Sequence, residues 1–137
     1  MCRAFRLAGA AIMLGSSVLS VAEARAIELT GAWASHEDLC NQVFTKKDNR
    51  VEYAEFSELF GSGFIVDGDR IRGKAGTCTI KSRKQEGDNL EISAACASTI
   101  MTQDLRFSLK IIDDNTISRL FPEISGMSLN YTRCSKL

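Results

Sequence analysis

The sequence predicts an all-β fold, a small antiparallel up-and-down β-barrel with one short N-terminal helix and two disulfides. Eight or nine short strand-like segments follow one another at intervals of about 8–12 residues, and residues that favour tight turns separate many neighbouring segments. Four cysteines follow residue 26. Closing an antiparallel meander into a barrel removes its exposed strand edges, which favours this architecture. A β-sandwich is the alternative.

Residues 1–26 have the features of a secretory signal peptide. Arg3 and Arg6 precede an uncharged apolar run over residues 7–21, and Ala24-Arg25-Ala26 has the small-x-small form of a cleavage site. The run is shorter than the roughly 20 apolar residues that a membrane-spanning helix needs. We therefore expect a secreted or periplasmic protein. Its mature chain, residues 27–137, is expected to be one domain without a transmembrane segment.

The first part of the mature chain predicts a strand followed by a short helix. Residues 29–34 form the expected strand, and Ser35 followed by Asp38 indicates a capping box for a helix that ends near Phe44. The next predicted segments are a strand over 50–54 and a single helical turn over 55–60.

Three strand–turn–strand units follow, each with Gly, Asp or Asn where a tight turn requires them. They cover residues 64–74, 77–95 and 105–120. Apolar and polar residues alternate most clearly over 105–112, which indicates a strand with one buried face. The last strand is predicted over 127–132.

The cysteines of the mature chain predict two disulfides, as expected for a small secreted domain. Four cysteines allow three connectivities, and their spacing alone does not choose among them. Folding the 77–95 hairpin about Gly87 places Cys78 opposite Cys96 on one face of the sheet, which favours a Cys78–Cys96 bond. Cys40–Cys134 is then the remaining pair, and it would tie the start of the domain to its end.

Gly31-Ala32-Trp33, followed by Cys40, resembles the signature of lipocalin-like barrels. In that family the Trp plugs the closed end of the barrel, and an Arg from the last strand often packs over it. Arg133 is the matching residue here. The stretch resembles still more closely the small periplasmic inhibitors of bacterial metalloproteases, which begin with Gly-x-Trp and a cysteine shortly after, and which are understood to insert their N-terminal tail into the protease. The resemblance implies a lipocalin-like barrel with Gly31, Trp33 and Arg133 in structural roles, and an inhibitor-like function.

Five cations form a first candidate binding surface, which we call the basic face. Its members are Arg70, Arg72, Lys74, Lys81 and Arg83. Their period-two spacing on two neighbouring strands places them on one side of the sheet, opposite Ile71 and Ile80. Such a face could bind a polyanion, the cell envelope or an acidic protein. We expect no nucleic-acid partner, because no aromatic residue interleaves with these cations for base stacking. The mature chain also carries 14 basic against 16 acidic residues, so its overall charge does not favour nucleic acid.

The loop over residues 121–127 is the second candidate surface. It is the most apolar of the predicted loops, with Phe121 and Ile124 as its main apolar side chains, and exposed apolar loops often mark contacts.

The sequence offers no convincing catalytic or metal site. His36 is the only histidine, no serine lies in a G-x-S-x-G motif, and the cysteines are assigned to disulfides. The segment from His36 to Cys40 departs from the zinc motif H-E-x-x-H at its last ligand. We therefore predict a non-enzymatic binding module without metal or cofactor, most favourably with a protein partner. The alternatives are a lipocalin-like carrier of a small apolar ligand and a polyanion- or envelope-binding protein that uses the basic face.

Overall fold

The computed structural model describes residues 26–137, so the predicted signal sequence up to residue 25 lies outside the described residues. Within this part of the chain the strands are β1 Gly31–Ala34, β2 Phe44–Lys47, β3 Arg50–Tyr53, β4 Gly63–Asp67, β5 Arg70–Arg72, β6 Gly76–Glu86, β7 Asn89–Ser98, β8 Thr102–Asp113, β9 Thr116–Leu120 and β10 Ser128–Arg133. The helical elements are two short 3₁₀ helices, Glu37–Leu39 and Ser57–Phe60, and one α-helix, α1, Cys40–Val43.

Eight of these strands close into an antiparallel barrel in the order β1-β10-β9-β8-β7-β6-β5-β4, and β4 pairs back to β1. The predicted barrel is confirmed, and the sandwich alternative is wrong. Because neighbouring strands are antiparallel, the connections alternate between the two ends. The turns at 68–69, 87–88 and 114–115 lie at one end, which we call the closed end. The connections over 73–75, 99–101 and 121–127 lie at the other end, which we call the open end, and the longer 35–62 segment leaves and re-enters the barrel there.

Inward-facing side chains fill most of the barrel. Trp33, Leu90, Ile92 and Ile117 are almost completely buried there. Two further apolar side chains come from the segment before β1, where Ile27 and Leu29 are also buried. An eight-stranded barrel is just wide enough for such a filled interior.

A second apolar core lies outside the barrel wall. Ala32, Ala34 and Ile65 face outward from β1 and β4, and Val43 and Phe44 cover them. These two residues belong to α1 and to a β2–β3 hairpin that pairs Phe44–Lys47 with Arg50–Tyr53. The hairpin therefore packs against the outside of the barrel.

The sequence-based description of this outer layer was incomplete. The predicted helix over 35–44 is reduced to α1 and a preceding 3₁₀ turn, because Phe44 adopts an extended conformation and starts β2. Ser35 does not cap it, since its Oγ accepts a hydrogen bond from the Ser62 N–H instead. The hairpin turn uses Asp48 and Asn49 at positive φ, a conformation that these residue types tolerate.

Both predicted disulfides are present. Cys78–Cys96 joins directly paired residues of β6 and β7, and Cys40–Cys134 joins α1 to the residue after β10. The bonds close loops of very different length, with sequence separations of 18 and 94 residues respectively. The longer one holds the outer layer against the last strand of the barrel.

The hairpin is also fastened to the barrel by polar contacts of Tyr53 and Arg72. The Tyr53 hydroxyl lies 2.9 Å from the carbonyl oxygen of Gly63 and 3.0 Å from that of Arg72. The Arg72 guanidinium binds the Glu52 carboxylate at 2.9 Å and donates to the carbonyl of Val51 at 2.8 Å. Burial raises the pKa of Tyr53 to about 12.

We predict that the two disulfides differ in their contribution to stability. Replacing Cys40 and Cys134 together by alanine is expected to lower the free energy of unfolding by about 5 kcal/mol, against about 3 kcal/mol for Cys78 and Cys96, because the longer loop restricts the unfolded chain more. Urea unfolding of the two double variants measures the difference. Equal or reversed effects would show that the bonds act on the folded state instead.

We also predict a specific alkaline instability that depends on Tyr53. Its raised pKa means that the stability from its neutral hydroxyl is complete below about pH 10, the ordinary tyrosine pKa, and is lost as the pH rises through about 12. The Tyr53→Phe variant should be less stable than the wild type by about 1–3 kcal/mol at neutral pH, since the one hydroxyl proton that the carbonyls of Gly63 and Arg72 share is lost. The difference should shrink above about pH 10. Unfolding at a series of pH values tests this, and a constant difference would contradict it.

Candidate functional site

The closed end is sealed around Trp33. The indole Nε1 donates a hydrogen bond to the carbonyl of Leu29 at 2.8 Å, and the Arg133 guanidinium carbon lies 4.3 Å from the centre of the indole ring. Arg133 also donates to the carbonyls of Thr30 at 2.6 Å, of Asp114 at 3.1 Å and of Glu28. One side chain thus joins the N-terminal segment, the ring and the β8–β9 turn.

Gly31 is required where the chain enters β1. Its φ is +134°, which side-chain-bearing residues rarely adopt, and an added Cβ would lie 3.3 Å from Nη1 of Arg133. Trp33 and Arg133 are directly paired across β1 and β10, with both side chains directed into the barrel. The three residues named by the sequence resemblance therefore meet in one cluster.

The N-terminal segment completes this seal. The Ile27 N–H donates to Oε1 of Gln85 at 3.1 Å, and its carbonyl accepts a hydrogen bond from Arg83. Ile27 and Leu29 are buried among the core residues. The first residues of the predicted mature chain are therefore part of the barrel plug.

The basic face is not formed as predicted. A bulge between Ile80 and Ser82 shifts the register of β6, so Arg83 pairs with the buried Ile92 and turns toward the closed end. One inserted residue reverses the side of every residue after it, which is why the period-two argument is wrong for Arg83.

Two further cations of the basic face are already engaged. Arg72 is held by Glu52 beneath the hairpin, and its side chain is only 17% exposed. Lys74 lies 3.5 Å from the Glu58 carboxylate and 5.5 Å from the centre of the Tyr53 ring. Arg70, Lys74 and Lys81 are exposed, and of these Arg70 and Lys81 have no ion pair among residues 26–137. The basic face is therefore smaller than the spacing predicts.

Exposed apolar side chains are concentrated at the open end. Among residues 26–137, eight large apolar residues are exposed, and seven of them lie on or beside the open-end loops. We call these seven the apolar rim: Phe56, Leu59, Ile100, Met101, Ile124, Met127 and Leu129. The eighth, Ile112, lies by the β8–β9 turn at the closed end. Of the residues predicted in the 121–127 loop, Ile124 belongs to the rim, whereas Phe121 is half-buried.

A cavity of about 200 Å³ lies inside the open end, and we call it the mouth cavity. Its walls include Phe64, Val66, Ile71, Leu109, Ile117 and Tyr131. Arg119 is the one charged residue that lines it. The Arg119 guanidinium carbon lies 4.9 Å from the centre of the Phe107 ring and 4.8 Å from that of Phe121, so the cation is within cation–π distance of two aromatic rings.

Arg119 and most of the rim were missed by the sequence analysis. Arg119 stands two residues after Ile117 on β9, so period two places it on the buried face, which is an unusual position for an arginine and the available signal. Ile100 and Met101 lie in a tight connection between two strands, where the fold offers nothing to bury them.

Residues 26–137 were also compared with the requirements of a metal site and of a membrane-spanning helix. No cluster of three or more His, Cys, Asp or Glu residues there is arranged to hold a metal ion. No helix in the same range is both long and apolar enough to cross a bilayer.

No known protein family, curated protein or solved structure matches this chain. The eight-stranded antiparallel barrel is compatible with the lipocalin-like resemblance of the Gly31-Ala32-Trp33 segment.

We predict that the closed-end cluster contributes strongly to stability. Trp33→Ala is expected to lower the free energy of unfolding by about 3–5 kcal/mol through the cavity it leaves. Arg133→Met is expected to lower it by about 1–3 kcal/mol, because charged hydrogen bonds to backbone carbonyls are lost.

The matched control is Lys136→Met, which removes an exposed cation near the same terminus and should change stability by less than about 0.5 kcal/mol. Thermal or urea unfolding followed by Trp33 fluorescence measures the two methionine variants. A similar loss in both would show that Arg133 acts only through its charge.

Proposed function

We propose that this protein is a secreted or periplasmic, non-enzymatic binding module that binds a protein partner through the open end of its barrel. The observation that carries the proposal is the concentration of seven of the eight exposed large apolar side chains at that end. Single exposed apolar residues are common on protein surfaces, whereas a cluster of them at one site is typical of an interaction surface.

The size of the mouth cavity favours a protein partner over a carried ligand. Its volume of about 200 Å³ is below the roughly 300–1,000 Å³ of sites that enclose a drug-sized molecule. The rest of the interior is occupied by Trp33 and its neighbours. A cavity of this size can accept one apolar group of a partner, while the rim contacts the surrounding surface.

The closed-end plug argues against one mode of inhibition. The inhibitors that the sequence resembles insert an N-terminal tail into the protease. Here Ile27 and Leu29 are buried, and Arg133 donates hydrogen bonds to the carbonyls of Glu28 and Thr30, so this segment is held in the barrel. An inhibitor-like role would therefore use the open end.

The lining of the mouth cavity supports a binding role without catalysis. It contains no histidine and no carboxylate, and its cysteine, Cys78, is in a disulfide. A nucleophile with an adjacent base is therefore missing from the residues that line this cavity. The two disulfides are consistent with an oxidising compartment, where the predicted signal peptide would direct the chain.

We predict that the rim is required for partner binding. Affinity capture from the extracytoplasmic fraction of the source cells would use the wild type, the double variant Ile124→Ser/Met127→Ser, and Ile112→Ser as control. Ile112 and Ile124 are each 55% exposed, but they lie at opposite ends of the barrel. The rim variant should bind any captured partner at least about tenfold more weakly, and the control should bind like the wild type.

Two results would contradict the proposal. The first is retention of the captured protein by the rim variant, and the second is an equal loss in the Ile112→Ser control. Loss of capture on Arg70→Glu, together with strong sensitivity to salt, would transfer the binding to the remaining basic face.

A further inference from the structure

We infer that the mouth cavity is a binding site for a carboxylate that carries a short apolar group, with the carboxylate on Arg119 and the apolar group inside the barrel. The inference rests on the proposed function in one respect, because it uses the same open end. It adds the chemistry that the site recognises, which the apolar rim alone does not define.

The position of Arg119 is the first step of the argument. Arg119 pairs with the buried Leu109 on β8 and with Leu129 on β10, so its side chain belongs to the inner face of the wall. An arginine in this position places a permanent positive charge among apolar side chains. Complete burial of such a charge is costly unless it is paired and hydrogen-bonded, and Arg119 is only half-buried.

Two aromatic rings supply part of the surroundings of the guanidinium group but no partner for its N–H groups. Phe107 and Phe121 lie within 5 Å of the guanidinium carbon, which is a favourable cation–π distance. The five N–H donors point outward in the plane of the group. Within residues 26–137, Arg119 has neither an ion pair nor a side-chain hydrogen bond, and its nitrogen atoms are open to solvent at the mouth of the barrel, where a ligand can reach them.

The geometry favours a carboxylate as the ligand of this guanidinium group. A planar guanidinium can offer two parallel N–H groups to a carboxylate. A doubly charged phosphate would keep one negative charge without compensation, because no other charged residue lines the mouth cavity.

The cavity volume limits the size of the apolar group. A water molecule occupies about 30 Å³ in the liquid. A volume of about 200 Å³ therefore has room for roughly six non-hydrogen atoms of similar size. A branched aliphatic side chain or a chain of about six carbons meets this limit, whereas a long acyl chain would extend out of the mouth.

Two sources can supply this chemistry. One is a free monocarboxylic acid, and the other is the C-terminal carboxylate of a polypeptide whose last residue is apolar. Small probes distinguish them: hexanoate for the free acid, and N-acetyl-leucine for the polypeptide terminus. Their neutral counterparts are 1-hexanol and N-acetyl-leucinamide, and acetate tests the need for an apolar group.

The experiment measures binding of these probes to the mature protein by NMR titration. At least one of hexanoate and N-acetyl-leucine should bind about tenfold or more tightly than its neutral counterpart and than acetate, since a charged hydrogen-bonded pair is lost in the comparison. Arg119→Met should remove this preference, because methionine keeps an unbranched stem but has no charge. Arg106→Met is the matched control, an exposed arginine one residue from Phe107 on the outer face of β8.

The outcomes separate this inference from the proposed function. The inference is overturned if the acids and their neutral counterparts bind equally, or if neither acid binds, whatever the affinity of the Arg119→Met variant. Either result leaves the proposal of rim-dependent capture of a protein partner unaffected. Preference for N-acetyl-leucine supports a polypeptide C-terminus. Preference for hexanoate supports a free acid, and together with failure of partner capture it would replace the proposed function by that of a carrier.

Discussion

Closure of the barrel depends on β1, which has only four residues and yet pairs with β4 along its length and with β10 at Trp33 and Ala34. So few ladder hydrogen bonds do not hold a strand by themselves, and side chains on both faces of the wall fix its position. Inside, Arg133 joins the Trp33 ring to the N-terminal segment. Outside, Cys134 joins Cys40 of α1. Without these contacts β4 and β10 would present open edges.

The open end depends on that closure, because its loops are distant in the chain. The rim residues come from connections near 56–59, 100–101 and 124–129, and only the closed barrel brings them to one end. The Cys78–Cys96 bond lies in the wall of the mouth cavity and restrains β6 and β7 there. Restrained loops lose less conformational entropy on binding, so a partner of the open end would meet a surface that is already ordered.

The parts of the fold that the sequence could predict are those governed by short-range rules. Alternation over β8 was sufficient for its buried face. The Cys78–Cys96 pairing was predicted from a hairpin centred on Gly87, but the observed two-residue turn at 87–88 alone would place Cys78 opposite Ala97, and the bulge before Ser82 brings it opposite Cys96. The side of the sheet on which Arg83 lies was predicted wrongly, because no residue type marks the bulge before Ser82. Strand β2, and with it the β2–β3 hairpin, was not predicted, because the short apolar pair at Val43 and Phe44 suits a helix as well as a strand. The apolar rim and the surroundings of Arg119 depend on which loops become neighbours, and this follows from closure of the whole barrel rather than from any local pattern.

The alternation of connections between the two ends has a consequence for how such a scaffold could diversify. The residues that maintain the fold, among them Trp33, Arg133 and the buried Ile27, lie at the closed end or in the walls. The short loops of the open end, over 73–75, 99–101 and 121–127, supply few of those contacts, whereas the 35–62 connection carries much of the second core and Cys40. The sequences of these short loops could be exchanged, lengthened or randomised at small cost to folding, as recognition loops are on other rigid β-frameworks. The same barrel is accordingly a suitable frame for grafting binding loops of other specificities.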